Sequence, residues 1–418
     1  MFIEFKDVAF QKMTATRKRY FGRVPDIFTK MYNFTRAKTA KALGYYPYFP
    51  NIEKSDATEV TIDGQKRVML GSNNYLGLST HPKVVKAGIQ ALKDYGSGLT
   101  GSRFLNGNVT LHMELERRLA KYVGMDRSLV FSSGFGVNLG IISAVAGQND
   151  YVFSDEMNHA SIVDGIRFAG SIKRKYRHND MKDLEYHMAS AELSRPRFIV
   201  TDGVFSMEGD IAKLDEITAL ANKYHARVMV DDAHSIGLLG PKGEGTAAHF
   251  DVTKDVDLIM GTFSKSFGSL GGFIAGEEAV IDYLQHHTRT MIFTAALPPT
   301  NVASTMAALE LMEKEPDRRK AVMENSKYMR ENLKSLGFEV GETETPIIPI
   351  IIGKDVKTFY MWKDLLAAGV YTNPIVSPAT PPGRALLRTS YMATHSRDQL
   401  DFCLEQFEKI GKQRRVIS

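Results

Sequence analysis

Between Asn73 and Ala275 one pattern recurs: a short apolar run ends in polar residues, and a segment with apolar residues at helical spacing follows. The runs at 128–132, 151–154, 197–201, 227–230, 258–262 and 272–275 read as strands. Helical patterns lie between most of them; at 213–224, for example, Leu214, Ile217, Leu220 and Ala221 share one face. Such alternation predicts a mainly parallel sheet with both faces covered, because parallel strands need crossover connections and these pack on the faces. Ligands of such sheets collect beyond the carboxyl ends of the strands. Here Phe131 leads into Ser132-Ser133-Gly134, Phe153 into Asp155 and His159, and Val200 into Asp202 and Ser206. Val230 leads into Asp231 and His234, and Met260 into Thr262 and Lys265, so five strand ends converge on one rim.

Around this block the pattern divides the chain into an N-terminal basic and aromatic helix and arm at 1–50, a hairpin at 51–72, a large domain at 73–298 and a smaller α+β domain at 299–418. The hairpin is signalled by segments 59–63 and 65–70 about Asp63-Gly64, and it is expected to join the smaller domain. After Pro298 come long helical patterns at 301–313 and 318–336, a strand at 347–352 and a helix at 356–368. Short strands near 371–374 and 386–390 precede a last helix from Ser396.

Composition narrows the class of function. The net charge of +5 suggests nucleic acid at first sight, yet residues 12–42 alone carry +8 and the remainder about −3. A basic nucleic-acid face is therefore not expected. The basic segment also holds Tyr20, Phe21, Phe28, Tyr32 and Phe34, then Tyr45, Tyr46, Tyr48 and Phe49. It reads either as an arm packed on the body or on a partner subunit, or as a surface for an anionic membrane. Cys403 is the single cysteine, so an intrachain disulfide and a cysteine metal site are excluded and no metal is expected. No apolar run is long enough to span a bilayer and the start lacks a signal-peptide core. A cytoplasmic protein is expected, peripheral to the inner membrane surface at most.

Lys265 is the only charge between Asp257 and Glu277, in an apolar, glycine-rich run. An amine in a partly desolvated pocket has a lowered pKa and attacks aldehydes, while Thr262, Ser264 and nearby glycines suit a phosphate. Pyridoxal 5'-phosphate (PLP) carries both groups. Its ring nitrogen needs a carboxylate, for which Asp231 and Asp232 compete. His234 and Ser206 suit the ring hydroxyl; His159 suits stacking on the ring, or a helix cap. The amides of Ser133, Gly134 and Phe135 open a helix and form a phosphate seat. Arg388, on a strand of the smaller domain, offers a bidentate clamp for a carboxylate.

These residues resemble those of the α-oxoamine synthases, fold-type-I PLP enzymes that join an amino acid to an acyl thioester. The likeness runs through Ser72-Asn-Asn-Tyr-Leu-Gly-Leu78, Asn158-His-Ala-Ser-Ile162, Thr201-Asp-Gly-Val-Phe-Ser-Met-Glu-Gly209, Val230-Asp-Asp-Ala-His-Ser235, Gly261-Thr-Phe-Ser-Lys-Ser266 and Arg388-Thr-Ser-Tyr-Met-Ala-Thr-His395, and covers about 50–415. It implies a mainly parallel seven-stranded sheet plus a smaller α+β domain. It implies that Lys265 joins the cofactor aldehyde and later moves the α-proton, and that Asp231 holds the ring nitrogen. His159 stacks on the ring, His234 and Ser206 meet its hydroxyl, and Thr262, Ser264 and Ser133 to Phe135 bind phosphate. Thr294 reaches the phosphate of a neighbouring subunit in a homodimer with shared sites, and Arg388 with Asn73 binds the substrate carboxylate. Gly98-Leu-Thr-Gly-Ser-Arg-Phe-Leu-Asn-Gly107, 255–265 and Asn373-Pro-Ile-Val-Ser-Pro-Ala-Thr380 look most like bacterial members that condense L-serine with a long-chain acyl-CoA such as palmitoyl-CoA. That reaction gives 3-ketosphinganine, the first step of sphingolipid synthesis. Lys409-Ile-Gly-Lys-Gln413 resembles instead members that use glycine, so a relative taking glycine or alanine with another acyl-CoA stays open.

Overall fold

A computed structural model describes residues 26–418; the basic segment up to Arg23, with Tyr20 and Phe21, lies outside the described residues. The described residues divide into two units, 26–48 and 49–418. In the first, the described part holds two short helices, Thr29–Tyr32 and Arg36–Ala42, with Ile27, Phe28, Met31 and Leu43 exposed.

The second unit begins with strands β1 (Lys54–Asp56), β2 (Glu59–Ile62) and β3 (Gln65–Met69), paired in antiparallel order. Asp63 and Gly64 close the β2–β3 hairpin, both with positive φ, at 51° and 69°, as a two-residue turn with matching twist requires.

Seven strands then form the central sheet. They are β4 (Arg127–Phe131), β5 (Tyr151–Asp155), β6 (Ile172–Tyr176), β7 (Arg197–Asp202), β8 (Arg227–Asp231), β9 (Leu258–Thr262) and β10 (Gly272–Gly276). Their order is β4-β10-β9-β8-β7-β5-β6; β10 is antiparallel to both neighbours and the remaining pairs are parallel. β5, β7, β9 and β10 are buried at every residue, as strands covered on both faces must be. β6, Ile-Lys-Arg-Lys-Tyr, is absent from the strands expected above because its charges hide it. It sits at the sheet edge, where alternate side chains reach water.

Alternation along the strands sorts their side chains between two cores. Val228 and Val230 pack into one core with Ile199 and Ile259; Met229 packs into the other with Phe198, Val200, Leu258 and Met260. By the same parity Asp202, Asp231 and Thr262 face the second side, toward helix Gly134–Val145, and Asp232 faces the first.

The C-terminal part adds β11 (Glu339–Val340), β12 (Ile347–Gly353), β13 (Val370–Tyr371), β14 (Asn373–Ile375) and β15 (Ala385–Ser390). β11, β12, β15 and β14 form a second sheet in that order, while β13 pairs in parallel with β3 and so ties the hairpin to this part. Helices Pro299–Lys314, Pro316–Ser335, Asp355–Ala367 and Arg397–Gln413 surround it, the last capped by Ser396.

The turn after β9 is closed on itself. Gly268 N donates to Lys265 O at 2.8 Å, Ser269 N to Phe263 O at 2.7 Å, and Phe263 N to Gly271 O at 2.9 Å. Phe263 and Phe267, fully buried and edge to face at 5.3 Å, anchor it from below. Burying each ring contributes roughly 1.5–3 kcal/mol. Gly268 has φ +64°, and a Cβ there would meet Ser79 N at 2.5 Å. Gly268→Ala is therefore expected to lower the unfolding free energy by about 1–3 kcal/mol. Urea denaturation reads this, and an unchanged midpoint would show that the turn yields.

Candidate active site

Beyond the carboxyl ends of β4, β5, β7, β8 and β9 lies a cavity of about 310 Å³. Ser133, Gly134, Phe135, His159, Ser206, Asp231, His234, Thr262, Ser264 and Lys265 all line it, with Asn138, Ser161, Asp202 and Ala233.

Lys265 is half-buried at the rim. Desolvation lowers its pKa to about 8, against the opposing pull of Asp231 and Asp202 and with a further lowering by Arg388. About a tenth of this amine is thus uncharged at pH 7, far more than of an ordinary lysine, and able to attack a carbonyl.

Asp231 is held from two sides: Oδ2 accepts from Asn138 Nδ2 at 2.6 Å and Oδ1 from Ala233 N at 3.0 Å. Asp232, its rival in the sequence, is buried on the other face, where it accepts from Ser235 Oγ at 2.6 Å and Thr246 N at 2.9 Å. It is structural. Asp202 shares the Asp231 side, and burial together with the Asp231 charge raises its pKa well above the usual carboxylate range.

His159 takes the helix-cap position and also faces the cavity. Its ring accepts from Ser161 N at 3.3 Å at the start of helix Ala160–Ala169, and it lines the cavity. Its backbone N donates to Asp202 Oδ2 at 2.8 Å. Desolvation, then Lys265, lowers its pKa, so the ring is neutral and free to lie on an aromatic surface. His234 Nδ1 meets Tyr75 OH at 2.6 Å. Burial, then the charges of Lys265 and Arg388, hold it well below the ordinary imidazole value.

Ser133 Oγ accepts from Gly136 N at 3.0 Å and caps helix Gly134–Val145. Thr262 Oγ1 lies 3.0 Å from Ser264 Oγ, and a Cβ on Gly134 would come within 2.8 Å of that Thr262 oxygen. The glycine keeps this amide-lined corner open.

Arg388 on β15 is buried beside the lining. Nε donates to Ser206 O at 2.5 Å, Nη2 to Asn73 Oδ1 at 3.0 Å and Nη1 to Ser390 Oγ at 2.9 Å. Asn73 and Arg388 are thus brought together. Thr294 is not; it is exposed and outside this cavity.

The fit to PLP follows group by group. A depressed-pKa amine stands ready for the aldehyde, a doubly anchored carboxylate for the ring nitrogen, a neutral histidine for the ring face, and a glycine-kept helix start for the phosphate. Fold and lining together define a fold-type-I PLP-dependent enzyme.

The family model described as aminotransferase class I and II matches residues 65–407, and the chain belongs to that family, within its α-oxoamine synthases. It is 48% identical over 386 residues to a serine palmitoyltransferase of Sphingobacterium spiritivorum, covering 92% of this chain and 97% of that one. It is 43% identical over 378 residues to an 8-amino-7-oxononanoate synthase of Thermoanaerobacter pseudethanolicus, covering 90% and 96%. A solved serine palmitoyltransferase from S. paucimobilis, with PLP and myriocin bound, superposes with a TM-score of 0.91 at 35% identity over 94% of this chain and all of that one.

Asn138, Ser161 and Tyr75 belong to the site without having been singled out in the sequence. Asn138 lies one turn beyond Gly134 on the same helix, a spacing that would have pointed to it. Asn138→Ala is expected to raise the PLP dissociation constant about tenfold or more, since a hydrogen bond to a charged group is worth about 1.5–3 kcal/mol. Fluorescence titration of the apoprotein measures this, and unchanged affinity would mean that Ala233 N alone orients Asp231.

Proposed function

We propose that the protein condenses L-serine with a long-chain acyl-CoA such as palmitoyl-CoA, releasing CoA and CO2 and giving 3-ketosphinganine. The observation that carries this reading is the depressed-pKa amine of Lys265 in its cavity, in a chain 48% identical to a relative named serine palmitoyltransferase. PLP supplies an electron sink that weakens the bonds at the amino acid's Cα.

The chain's own groups do the rest. Lys265 Nζ takes the α-proton and returns one at the end. Asp231, braced by Asn138, keeps the ring nitrogen protonated. His159 covers the ring and orients the amino-acid carboxylate together with Arg388 and Asn73. Held between them, the carboxylate stays in place until the acyl carbon is attached, which orders the two bond cleavages. His234 and Ser206 meet the ring hydroxyl. Thr262, Ser264 and the amides of Ser133, Gly134 and Phe135 seat the phosphate.

A sibling reading keeps the site and changes the amino acid to glycine or alanine with another acyl-CoA; the 43% identity to an 8-amino-7-oxononanoate synthase favours testing it. A panel of amino acids against acyl-CoA chain lengths, read by product mass, separates the two. L-Serine with a C16 thioester is expected to give the dominant product; turnover with glycine or alanine alone contradicts the proposal.

The reading extends to a homodimer in which Thr294 reaches the partner subunit's phosphate, and to contact of the N-terminal arm with membrane. Among the described residues no helix is long and apolar enough to cross a membrane. Exposed Ile27, Phe28, Met31 and Leu43 beside Lys30, Arg36 and Lys41 suit an anionic surface instead. Sedimentation tests both extensions. The loaded protein is expected at the mass of two chains, and anionic vesicles are expected to pellet the full chain but not a chain beginning at Phe49. A fully active monomer contradicts the first, and equal pelleting the second.

A further inference from the structure

Outside the cavity one charged cluster has no part in the reaction described. His178, just after the edge strand β6, meets Asp155 Oδ1 with Nδ1 at 3.0 Å and Asp210 Oδ2 with Nε2 at 2.8 Å. A ring with a carboxylate at each nitrogen donates from both, and is therefore an imidazolium. Burial pulls its pKa down, but the hydrogen bonds and charges of Asp155 and Asp210 outweigh this and push it up to about 10. Its edge rests on the Phe205 ring, with centroids 4.4 Å apart. Asn179 closes the cluster: its N donates to Asp155 Oδ2 at 2.9 Å and its Nδ2 to Asp210 Oδ2 at 2.7 Å. The other ionisable groups facing it are Glu156, which accepts from His178 N at 3.3 Å, and the half-buried Glu208.

The two carboxylates belong to different parts of the site. Asp155 ends β5 and accepts from Met157 N at 2.8 Å, in the turn that delivers His159. Asp210 belongs to the loop after β7, whose Phe205 N donates to Asp210 O at 3.0 Å. This loop carries Ser206, whose carbonyl holds Arg388 Nε, and Gly209, whose carbonyl accepts from Thr343 Oγ1 at 2.7 Å and Thr345 Oγ1 at 2.8 Å. The loop is the seam across which Arg388 of the second sheet is held to the rim of the first.

We propose that His178 is a positioning residue: bridging Asp155 and Asp210, it locks the loop that carries Ser206, and so fixes Arg388 for the carboxylate of the amino-acid substrate. It touches neither cofactor nor substrate. The inference rests on the reading of Arg388 as the carboxylate site. It predicts that loss of the bridge harms recognition of the carboxylate more than it harms binding of PLP.

The test uses PLP-loaded protein as wild type, His178→Ala and His178→Gln, titrated with L-serine and with ethanolamine, which has the amine and hydroxyl but no carboxylate. Binding is read from the visible absorption of the cofactor. The L-serine dissociation constant is expected to rise about tenfold or more in His178→Ala, the range for loss of a charged hydrogen bond, and less in His178→Gln. The ethanolamine constant is expected to stay within about twofold in both variants. Should His178→Ala fail to fold, His178→Gln carries the same comparison. Equal weakening toward both ligands, or no weakening toward either, overturns the proposal. A wild-type protein whose absorption does not respond to L-serine overturns the serine reading instead, so the two failures are distinguishable.

A second readout is the thermal midpoint of the apoproteins. A folded pKa raised above the free value of 6.5 adds stability that is complete below pH 6.5 and lost as pH rises toward about 10. The advantage of wild type over His178→Gln should shrink across that window; a constant difference contradicts a charged bridge.

Discussion

Burying an ammonium among carboxylates at the rim of a parallel sheet is the constraint on which this molecule depends. Lys265 lies close enough to Asp231 and Asp202 to feel both charges, and Arg388 adds a second cation from another sheet. A lone charge there would be too costly to keep, and a fully satisfied pair would be inert. The observed balance lies between. Desolvation wins by enough to bring Lys265 down to about 8, while Asp202 is driven toward its neutral form and His234 is kept uncharged. The result is an amine, a braced carboxylate and two neutral imidazoles within one cavity, the set that PLP chemistry needs.

Backbone geometry maintains the balance. Strand parity brings Asp202, Asp231 and Thr262 to the same side as helix Gly134–Val145, whose Asn138 then reaches Asp231. The hydrogen-bonded turn over Phe263 and Phe267 fixes the lysine. The loop after β7 binds four side chains at once: Arg388 at the Ser206 carbonyl, Thr343 and Thr345 at the Gly209 carbonyl, and His178 at Asp210. Side chains from two sheets are thereby held to one another through backbone carbonyls.

Much of this was legible in the sequence, for a physical reason. Strands buried on both faces must be continuous apolar runs, so six of the seven central strands, and the polar residues at their ends, stand out directly. What escaped was whatever depends on which way a side chain points, or on a strand without an apolar run. β6 is charged because it lies at the edge. Tyr75 gains its meaning only from His234, which it meets across the fold. His178, in the run Arg-His-Asn-Asp, reads as a solvated turn, although its two carboxylate partners come from positions 155 and 210.

Lys265 is a deprotonatable, cofactor-capturing amine because of where it sits. Incubating the apoprotein with PLP across a range of pH, trapping the adduct with borohydride and mapping it by peptide mass tests this directly. One modified peptide is expected, the one containing Lys265, with half-maximal capture near pH 8. Label spread over surface lysines, or capture rising only near the ordinary lysine value of about 10.4, would contradict it.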